Sequence, residues 1–227
     1  DLTSGARCAF GDGQAHYLRH VMRMAAGDHL RLFNVASGEW LAVIETTGKK
    51  DIGAVITQQL RLPAVPEALD DVWLIASPLK KEAFDFMLEK ASELGAARFI
   101  PVICDHTAVH RLNEDRLRAG AIESAEQCER LDVMVTEKLQ NLSGLLDNWP
   151  ADRKLIAAIE RSDSQPIAKA VSALAGQKLA VLVGPEGGFS TDEKARLQAC
   201  PFVMPVSLGP LILRAETATI AALSIVN

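Results

Sequence analysis

The 227-residue sequence has few cysteines, and none of the four forms a C-x-x-C pair. Cys8, Cys104, Cys128 and Cys200 are therefore expected to be reduced thiols of a cytosolic protein, not zinc ligands or a redox pair. No apolar run approaches the length of a membrane helix, and no signal-peptide pattern is present. We therefore expect a cytoplasmic protein with no membrane association.

An excess of positive charge is also missing, since 29 Asp and Glu outweigh 24 Lys and Arg and the net charge is −5. This balance argues against general adhesion to nucleic acid, although a local basic cluster would suffice for phosphate contacts. The composition is 48% apolar and 23% charged, which is typical of a globular protein with one large or two modest domains. Because the chain begins with Asp1, we expect its natural start to lie upstream.

Residues 1–66 have the pattern of a small β-rich domain. The segment 14–24 carries apolar residues at the spacing of one helical face, namely Tyr17, Leu18, Val21 and Met22. Three strand-like runs follow, and turn-forming residues separate them; the runs are 29–34, 39–46 and 52–59. This arrangement predicts a small barrel or meander. The proline-containing segment 60–69 is the predicted linker to a second domain at 67–227.

Several basic residues of this half are candidates for an RNA-docking surface: Arg19, His20, Arg23, Arg31, Lys49 and Lys50. Charge counting alone favours the simpler interpretation, a solvated face. His16 and His20 lie one helical turn apart, as do His106 and His110. Neither pair has a further ligand at a fitting spacing, so no metal site is predicted.

Strand-like and helical patterns alternate from residue 70 onward. The predicted strands are 72–76, 99–104, 154–159, 179–183 and 202–206. The predicted helices are 84–94, 113–130, 166–174, 190–199 and 215–226. Gly95 fits the residue after a helix end, and Ser190 with Glu193 has the form of a capping box. The alternation predicts an α/β domain whose mostly parallel sheet has helices on both faces.

Two glycine-bearing loops each follow a predicted strand and precede a predicted helix. The first glycine loop is Gly184-Pro185-Glu186-Gly187-Gly188, and the second lies within 207–218. Open α/β sheets bind ligands at the carboxyl ends of their strands. The first loop is neither a P-loop nor a G-x-G-x-x-G motif, but its glycines allow the backbone to approach a ligand closely. Taken alone, it is equally consistent with a plain strand-to-helix turn.

The second glycine loop places Arg214 and Glu216 between an apolar strand end and an apolar helix. Charged groups in such a place are costly unless they are paired or used. The residues alone leave open a structural Arg–Glu pair that caps the helix. We predict instead that both loops enclose one small cofactor, with Arg214 and Glu216 pointing into the reaction space beside it.

The segments 183–190 and 208–218 together resemble the RsmE family of SPOUT-class methyltransferases. Supporting matches lie at 90–95 and 124–130, and His20-Val21-Met22-Arg23 in the first domain is also similar. The resemblance covers nearly the whole chain. It implies an enzyme that uses S-adenosyl-L-methionine to methylate N3 of a specific uridine in small-subunit (16S) ribosomal RNA.

The resemblance also implies the architecture and the partners. The fold would be a SPOUT α/β trefoil-knot methyltransferase domain preceded by a small PUA-like β-barrel domain that binds RNA. The enzyme would be a cytoplasmic homodimer that acts on ribosomal RNA within the assembled or assembling small subunit. Two alternatives stay open: a SPOUT methyltransferase acting on transfer RNA, and a catalytically inactive RNA-binding module. The intact Arg214-Ala215-Glu216-Thr217 argues against the second.

Site residues follow from the same resemblance. Arg214 and Glu216 would be catalytic, because a planar guanidinium suits a uracil anion and Glu216 would orient Arg214 or accept the N3 proton. Residues that bind the cofactor would be Glu160, Val183, Gly184, Pro185, Glu186, Gly187, Gly188, Leu208, Gly209, Ile212, Leu213, Thr217 and Ala218. Residues that contact RNA would be Arg19, Arg23, Arg31, Arg116 and Arg118.

Overall fold

A computed structural model describes residues 1–47, 52–63, 71–159 and 164–227. The chain divides into two compact units, Asp1–Leu69 and Asp70–Asn227. The domain boundary at 66/67 stays a prediction, because residues 64–70 lie outside the described residues, as do the turn-forming residues 48–51 between the second and third predicted strands. Within the described part of the chain, no helix has both the length and the apolar character needed to cross a membrane.

The first unit is a four-stranded antiparallel sheet with the strand order β1-β4-β3-β2. Its strands are β1 (Arg7–Ala9), β2 (His29–Asn34), β3 (Gly38–Thr47) and β4 (Ile52–Arg61). Buried apolar side chains of β3 and β4 form its small core: Ala42, Ile44, Ile52, Ala54 and Ile56. The three predicted strands are confirmed. The short strand β1 was not predicted.

The helical segment of this unit departs from the predicted apolar face. Helix α1 (Asp12–His16) continues as a π-helix over Tyr17–Val21. Leu18 packs towards the core, but Tyr17, Val21 and Met22 are 49%, 60% and 54% exposed. The Met22 amide donates to the Tyr17 carbonyl at 3.0 Å, five residues back, which is the wider spacing of a π-helix. A regular 3.6-residue period therefore gives the wrong face for these side chains.

The second unit is a parallel sheet with the strand order β10-β12-β9-β11-β5-β6-β7, and β8 also pairs with β6. Its elements are β5 (Val72–Ala76), α2 (Lys81–Glu93), β6 (Ala96–Ile103), α3 (Glu114–Gln127), β7 (Val135–Thr136), β8 (Gln140–Asn141), α4 (Leu142–Asp147), β9 (Arg153–Ala158), β10 (Gln165–Pro166), α5 (Ile167–Ala173), β11 (Lys178–Val183), α6 (Thr191–Ala199), β12 (Val203–Ser207) and α7 (Ala215–Val226). The predicted α/β architecture is confirmed. The knot stays a prediction, since strand order alone does not define how a chain threads.

Apolar side chains fill both faces of this sheet. Along β11, Val181 and Val183 belong to one core cluster, and Ala180 and Leu182 belong to another. Successive side chains of a strand point to opposite faces, so the two clusters lie on opposite sides of the sheet. Helices α2, α5 and α7 cover the first cluster, and α4 and α6 cover the second. This double burial explains why the strands read as continuous apolar runs.

Local sequence signals set two of the helix boundaries. Ser190 Oγ accepts a hydrogen bond from the Glu193 amide at 3.2 Å, and the Ser190 amide donates to the Glu193 carboxylate at 2.8 Å, so the predicted capping box is confirmed. Gly95 follows the end of α2 with φ +83°, the left-handed conformation predicted for that position. Helix α6 therefore begins directly after the first glycine loop.

Candidate active site

The two glycine loops leave the parallel sheet at the same edge, the one formed by the carboxyl ends of its strands. Strand β9 lies between β11 and β12, and its Ala158 is paired with both Val183 and Val206. Neighbouring strands lie about 4.8 Å apart, so the two loops start roughly 10 Å from each other. The strand register therefore confirms that both loops open at one edge. That they enclose one cofactor stays a prediction.

The first glycine loop has a tightly defined conformation. The Gly188 amide donates to the Pro185 carbonyl at 2.8 Å, which closes a turn, and Gly188 has φ +70°. The buried Phe189 ring lies 3.0 Å from the point where a Cβ on Gly184 would stand. A side chain at Gly184 would therefore force the Phe189 ring to shift by a few tenths of an ångström, and Gly188 is favoured by its backbone angle.

A neighbouring loop, which follows β6, contacts the first glycine loop. The Asp105 carboxylate accepts a hydrogen bond from the Ser190 hydroxyl at 2.5 Å, and the Asp105 amide donates to Glu193 at 2.9 Å. His106 Nδ1 lies 3.1 Å from the Gly187 carbonyl oxygen and 3.0 Å from that of Gly188. Sequence reasoning missed these contacts, because the only signal at His106 was its spacing from His110.

A buried polar network holds the loop after β6 in place. The Cys104 amide donates to Thr107 Oγ1 at 2.8 Å, and the Ser77 hydroxyl donates to Cys104 Sγ at 3.2 Å. Burial raises the pKa of the Cys104 thiol to about 12 from an ordinary value of 9.0. Hydrogen bonds between uncharged groups thus connect the carboxyl ends of β5 and β6. Among the described residues, no three His, Cys, Asp or Glu side chains gather into a possible metal site.

The raised pKa of Cys104 predicts how stability depends on pH. In the unfolded chain the thiol ionises near pH 9, whereas the native thiol keeps its proton to about pH 12. The native state therefore binds the proton more tightly, and stability falls as pH rises through this window. Between pH 9 and 10 this thiol should remove about 1 kcal/mol from the free energy of unfolding.

Urea unfolding of the wild type and of Cys104→Ala at pH 8.5 and 10 measures this contribution. The alanine variant should lose about 1 kcal/mol less between the two pH values, since the other groups titrate alike in both proteins. Cys200→Ala, at a partly exposed position, is the matched control and should behave as the wild type does. Equal pH sensitivity of Cys104→Ala and the wild type would contradict the account.

The second glycine loop lies between β12 and α7. Gly209 has φ +120°, and its amide donates to Ser207 Oγ at 3.2 Å. Leu208 and Leu213 pack against the core cluster beneath α7. Between them, Leu211 and Ile212 are 76% and 59% exposed. The loop therefore presents apolar side chains and backbone groups at the sheet edge.

Arg214 and Glu216 share an open pocket of about 670 Å³ at the start of α7. Its other lining residues come from the second glycine loop, from α7 and from the first turns of α2: Ile212, Leu213, Thr217, Glu82, Ala83 and Phe86. Arg214 is exposed, and neither its side chain nor that of Glu216 has a hydrogen-bond or ion-pair partner among the described residues. The alternative of an Arg–Glu pair that caps the helix is therefore not observed. Residues of the first glycine loop do not line this pocket.

Two protein families match the two units of the chain. The RNA methyltransferase domain matches residues 66–227, and the RNA methyltransferase PUA domain matches residues 10–57. This chain belongs to the RNA methyltransferase family. The second match confirms the PUA-like domain predicted at the N-terminus.

Individual members of the RNA methyltransferase family are similar over most of their length. Ribosomal RNA small subunit methyltransferase E from Rickettsia conorii is 33% identical, covering 94% of this chain and 86% of that protein. The protein of the same name from Bacillus subtilis is 28% identical, with 94% and 87% covered. The crystal structure of this methyltransferase from Neisseria gonorrhoeae, bound to S-adenosyl methionine, matches with a TM-score of 0.85 and 26% identity, covering 98% of this chain and 92% of that chain. The resemblance to the RsmE family is thereby confirmed.

The other residues that were predicted to bind the cofactor fall into three groups. Val183 and Ala218 are buried and lie in the core under the loops. Pro185 is buried, whereas Glu186 is exposed at the tip of the first glycine loop. Glu160, which follows β9, lies outside the described residues.

The predicted RNA-contacting arginines of this family member lie in both units. Arg23 has a left-handed backbone with φ +56°, and Arg31 lies 3.4 Å from the Glu39 carboxylate. On α3, Arg116 is paired with Asp85, and Arg118 is exposed. A phosphate contact by Arg116 therefore requires its ion pair to open, whereas Arg118 needs no such change.

Proposed function

We propose that this protein uses S-adenosyl-L-methionine to methylate N3 of a uridine in small-subunit ribosomal RNA. One observation carries the proposal: Arg214 stands beside Glu216 in an open pocket, with no described partner, at the sheet edge where both glycine loops emerge. The curated relatives from Rickettsia conorii and Bacillus subtilis are named small-subunit ribosomal RNA methyltransferases. Under this proposal the protein transfers a methyl group, whereas under the alternative of an inactive RNA-binding module it would bind RNA without methylating it.

The two glycine loops fit this cofactor. A Cβ built on Gly188 or Gly209 would meet no atom within 4 Å, so the loops border open space. Their backbone groups suit the polar parts of an adenosine and an amino acid, and Ile212 and Leu213 suit its apolar surface. When bound, the cofactor supplies a methyl group that its sulfonium already activates. The chain therefore needs to align the substrate and to stabilise charge.

Arg214 would stabilise the charge that develops on the substrate. Uracil N3 would lose its proton first, and the negative charge would spread to the two ring carbonyl oxygens. The N3–methyl bond would then form as the bond from that methyl group to the sulfonium sulfur breaks, which leaves a neutral thioether and a neutral base. A guanidinium is planar and stays protonated, so it can hold that charge throughout the transfer. Glu216 lines the same pocket without a described partner, which favours it as the acceptor of the N3 proton over a role in orienting Arg214.

An exposed apolar surface beside the pocket supports a homodimer. Phe86 of α2 and Ile212 of the second glycine loop line the pocket and are 44% and 59% exposed, and Leu211, next to Ile212, is 76% exposed. Contiguous apolar surface of this kind marks interaction sites. A second copy of the chain would cover it, and RNA would then bind across both subunits. We place the enzyme in the cytoplasm, with the assembled or assembling small subunit as its substrate.

Binding to small-subunit ribosomal RNA is expected to weaken about 100-fold between 50 and 200 mM salt. Five arginines, three in the first unit and two on α3, would each release counterions from the RNA backbone. Fluorescence anisotropy with a labelled RNA fragment measures the slope. Arg118→Ala should reduce the slope by about one, whereas Arg196→Ala, whose side chain is paired with Asp147, should not. An affinity that does not change with salt would contradict the proposed contacts.

Mass mapping of modified nucleotides tests the function directly. Small-subunit RNA from cells that lack the gene should have lost one 3-methyluridine that returns when the gene is restored. Loss of a methylated uridine in transfer RNA instead would favour the transfer-RNA alternative. Calorimetry with S-adenosyl-L-methionine tests the inactive-module alternative, because a module without catalysis need not bind the cofactor.

A further inference from the structure

His106 lies outside both glycine loops, yet its ring is bonded to the first one. Its Nδ1 is within hydrogen-bond distance of two carbonyl oxygens, those of Gly187 and Gly188. Carbonyl oxygens only accept hydrogen bonds, so Nδ1 must carry the proton and donate to both. The chemistry of its partners therefore fixes the tautomer of the neutral ring, with Nε2 left as an acceptor.

This contact decides which way the peptide groups of the loop face. The peptide between Gly187 and Gly188 has its carbonyl on His106 and its N–H on the Pro185 carbonyl, so both of its ends are held. The next peptide has its carbonyl on His106, and planarity turns the Phe189 N–H to the opposite side. Two successive peptide groups of the loop proposed to hold the cofactor are thus fixed in orientation by His106.

The contact is close and is supported on both sides. A Cβ on Gly187 would lie 2.8 Å from His106 Cβ, so only glycine lets the two backbones approach this far. Asp105 joins the same segment to Ser190 at the start of α6. Thr107, on the other side of His106, belongs to the buried network with Cys104. The residues on both sides of His106 are therefore held in place.

We propose that His106 is a positioning residue that holds the first glycine loop in the conformation that binds the cofactor. The inference rests on the proposed function, since it assumes that this loop contacts S-adenosyl-L-methionine. These two bonds are exposed, so water would replace the donor once it is removed, and the loop would then be free to adopt other arrangements, which lowers affinity. Arg214 lies on a different loop, so the chemical step should be preserved.

The test compares two replacements of similar size. His106→Asn keeps an N–H donor near the position of Nδ1, whereas His106→Leu removes it. The leucine variant should raise the Kd and KM for the cofactor about 10-fold while kcat stays within about two-fold. The asparagine variant should stay within about three-fold of the wild type. His110→Leu, at an exposed position four residues further on, is the matched control and should change nothing.

A double-mutant cycle gives a second, independent test. Gly187→Ala should weaken cofactor binding in the wild-type background, because its Cβ meets that of His106. In the His106→Gly background this clash is gone, so the added alanine should cost little more. Additive losses would overturn the proposal, as would equal affinities of the leucine and asparagine variants or equal losses in kcat and kcat/KM.

Calorimetry with S-adenosyl-L-methionine and no RNA separates the two ideas. If the wild type binds the cofactor and His106→Leu binds it equally well, the positioning role is wrong and the proposed function stands. If the wild type binds none, the proposed function fails and the positioning role fails with it. Urea unfolding midpoints of His106→Leu, His106→Asn and His110→Leu should agree with that of the wild type, and a lowered midpoint confined to His106→Leu would assign its affinity loss to folding and overturn the proposal.

Discussion

Replacing Arg214 with alanine is expected to lower kcat for methylation by about 100- to 1,000-fold, the effect of removing one well-placed donor from a developing anion. The Kd for S-adenosyl-L-methionine should stay within a few-fold, because cofactor contacts are proposed to come from backbone and apolar groups of the loops. The side chain has no described partner in the folded protein, so its loss should not destabilise the unit. Single-turnover methylation of small subunits and calorimetry measure the two quantities.

Two further variants make this result specific. Arg214→Lys keeps the charge but loses the planar fork, so we expect an intermediate loss of about 10-fold. Arg196→Ala removes an arginine of α6 that is paired with Asp147 on the surface, and it should leave the rate unchanged. A near-wild-type rate for Arg214→Ala, or a parallel loss of cofactor binding, would remove Arg214 from the proposed chemistry.

Gly38→Ala is expected to unfold the first unit. Gly38 begins β3 with φ +77°, where a side chain costs about 1–2 kcal/mol. Its Cβ would also overlap backbone atoms after β4, with the Leu62 carbonyl carbon 2.7 Å away and Pro63 N 2.8 Å away. Backbone cannot yield as a flexible side chain does, so the strand pairing must shift. A domain of this size rarely has more than about 3–5 kcal/mol of stability to lose.

The comparison with Gly5→Ala separates the two causes. Gly5 also has a positive φ, +81°, but its Cβ would meet no atom within 4 Å, so only the backbone strain of about 1 kcal/mol should appear. Circular dichroism should show a lost or shifted transition for Gly38→Ala and a small shift for Gly5→Ala. Cofactor binding by the second unit should persist while RNA affinity falls. Equal stabilities of the two variants would show that the steric account is wrong.

Local chemistry made much of the second unit predictable. Val72–Ala76 and Ala215–Val226 were predicted with their observed boundaries, because a buried strand and a buried helix leave strong apolar patterns. Thr191–Ala199 followed from its capping box. The short elements β7, β8 and α4 were missed, since two or six residues are too few to establish a period.

In the first unit, the spacing of apolar residues led to a wrong prediction. The apolar residues around Tyr17 match a regular helix, but a π-helix places three of the four in solvent. No local sequence pattern predicts the wider turn of the π-helix. Strand β1 was missed for a different reason, since its three residues gain their place only by pairing with Gly53–Val55 of β4.

The two loops of the candidate site were predicted to lie together, but the strand order that brings them together was not predicted. Each loop was recognisable from glycines between a strand and a helix. Their position at one edge depends on β9 lying between β11 and β12, which only the sheet reveals. The contact of His106 with Gly187 joins residues 81 positions apart, and no local pattern encodes such a distance.

The place of β9 in the sheet has a consequence for synthesis on the ribosome. Both neighbours of β9 follow it in the chain, β11 first and β12 second. During synthesis one side of β9 can pair as soon as β11 has been made, whereas its other side keeps an unpaired backbone until β12 follows. A ribosome that stalls before Val203 therefore releases a product without β12, the second glycine loop and Arg214.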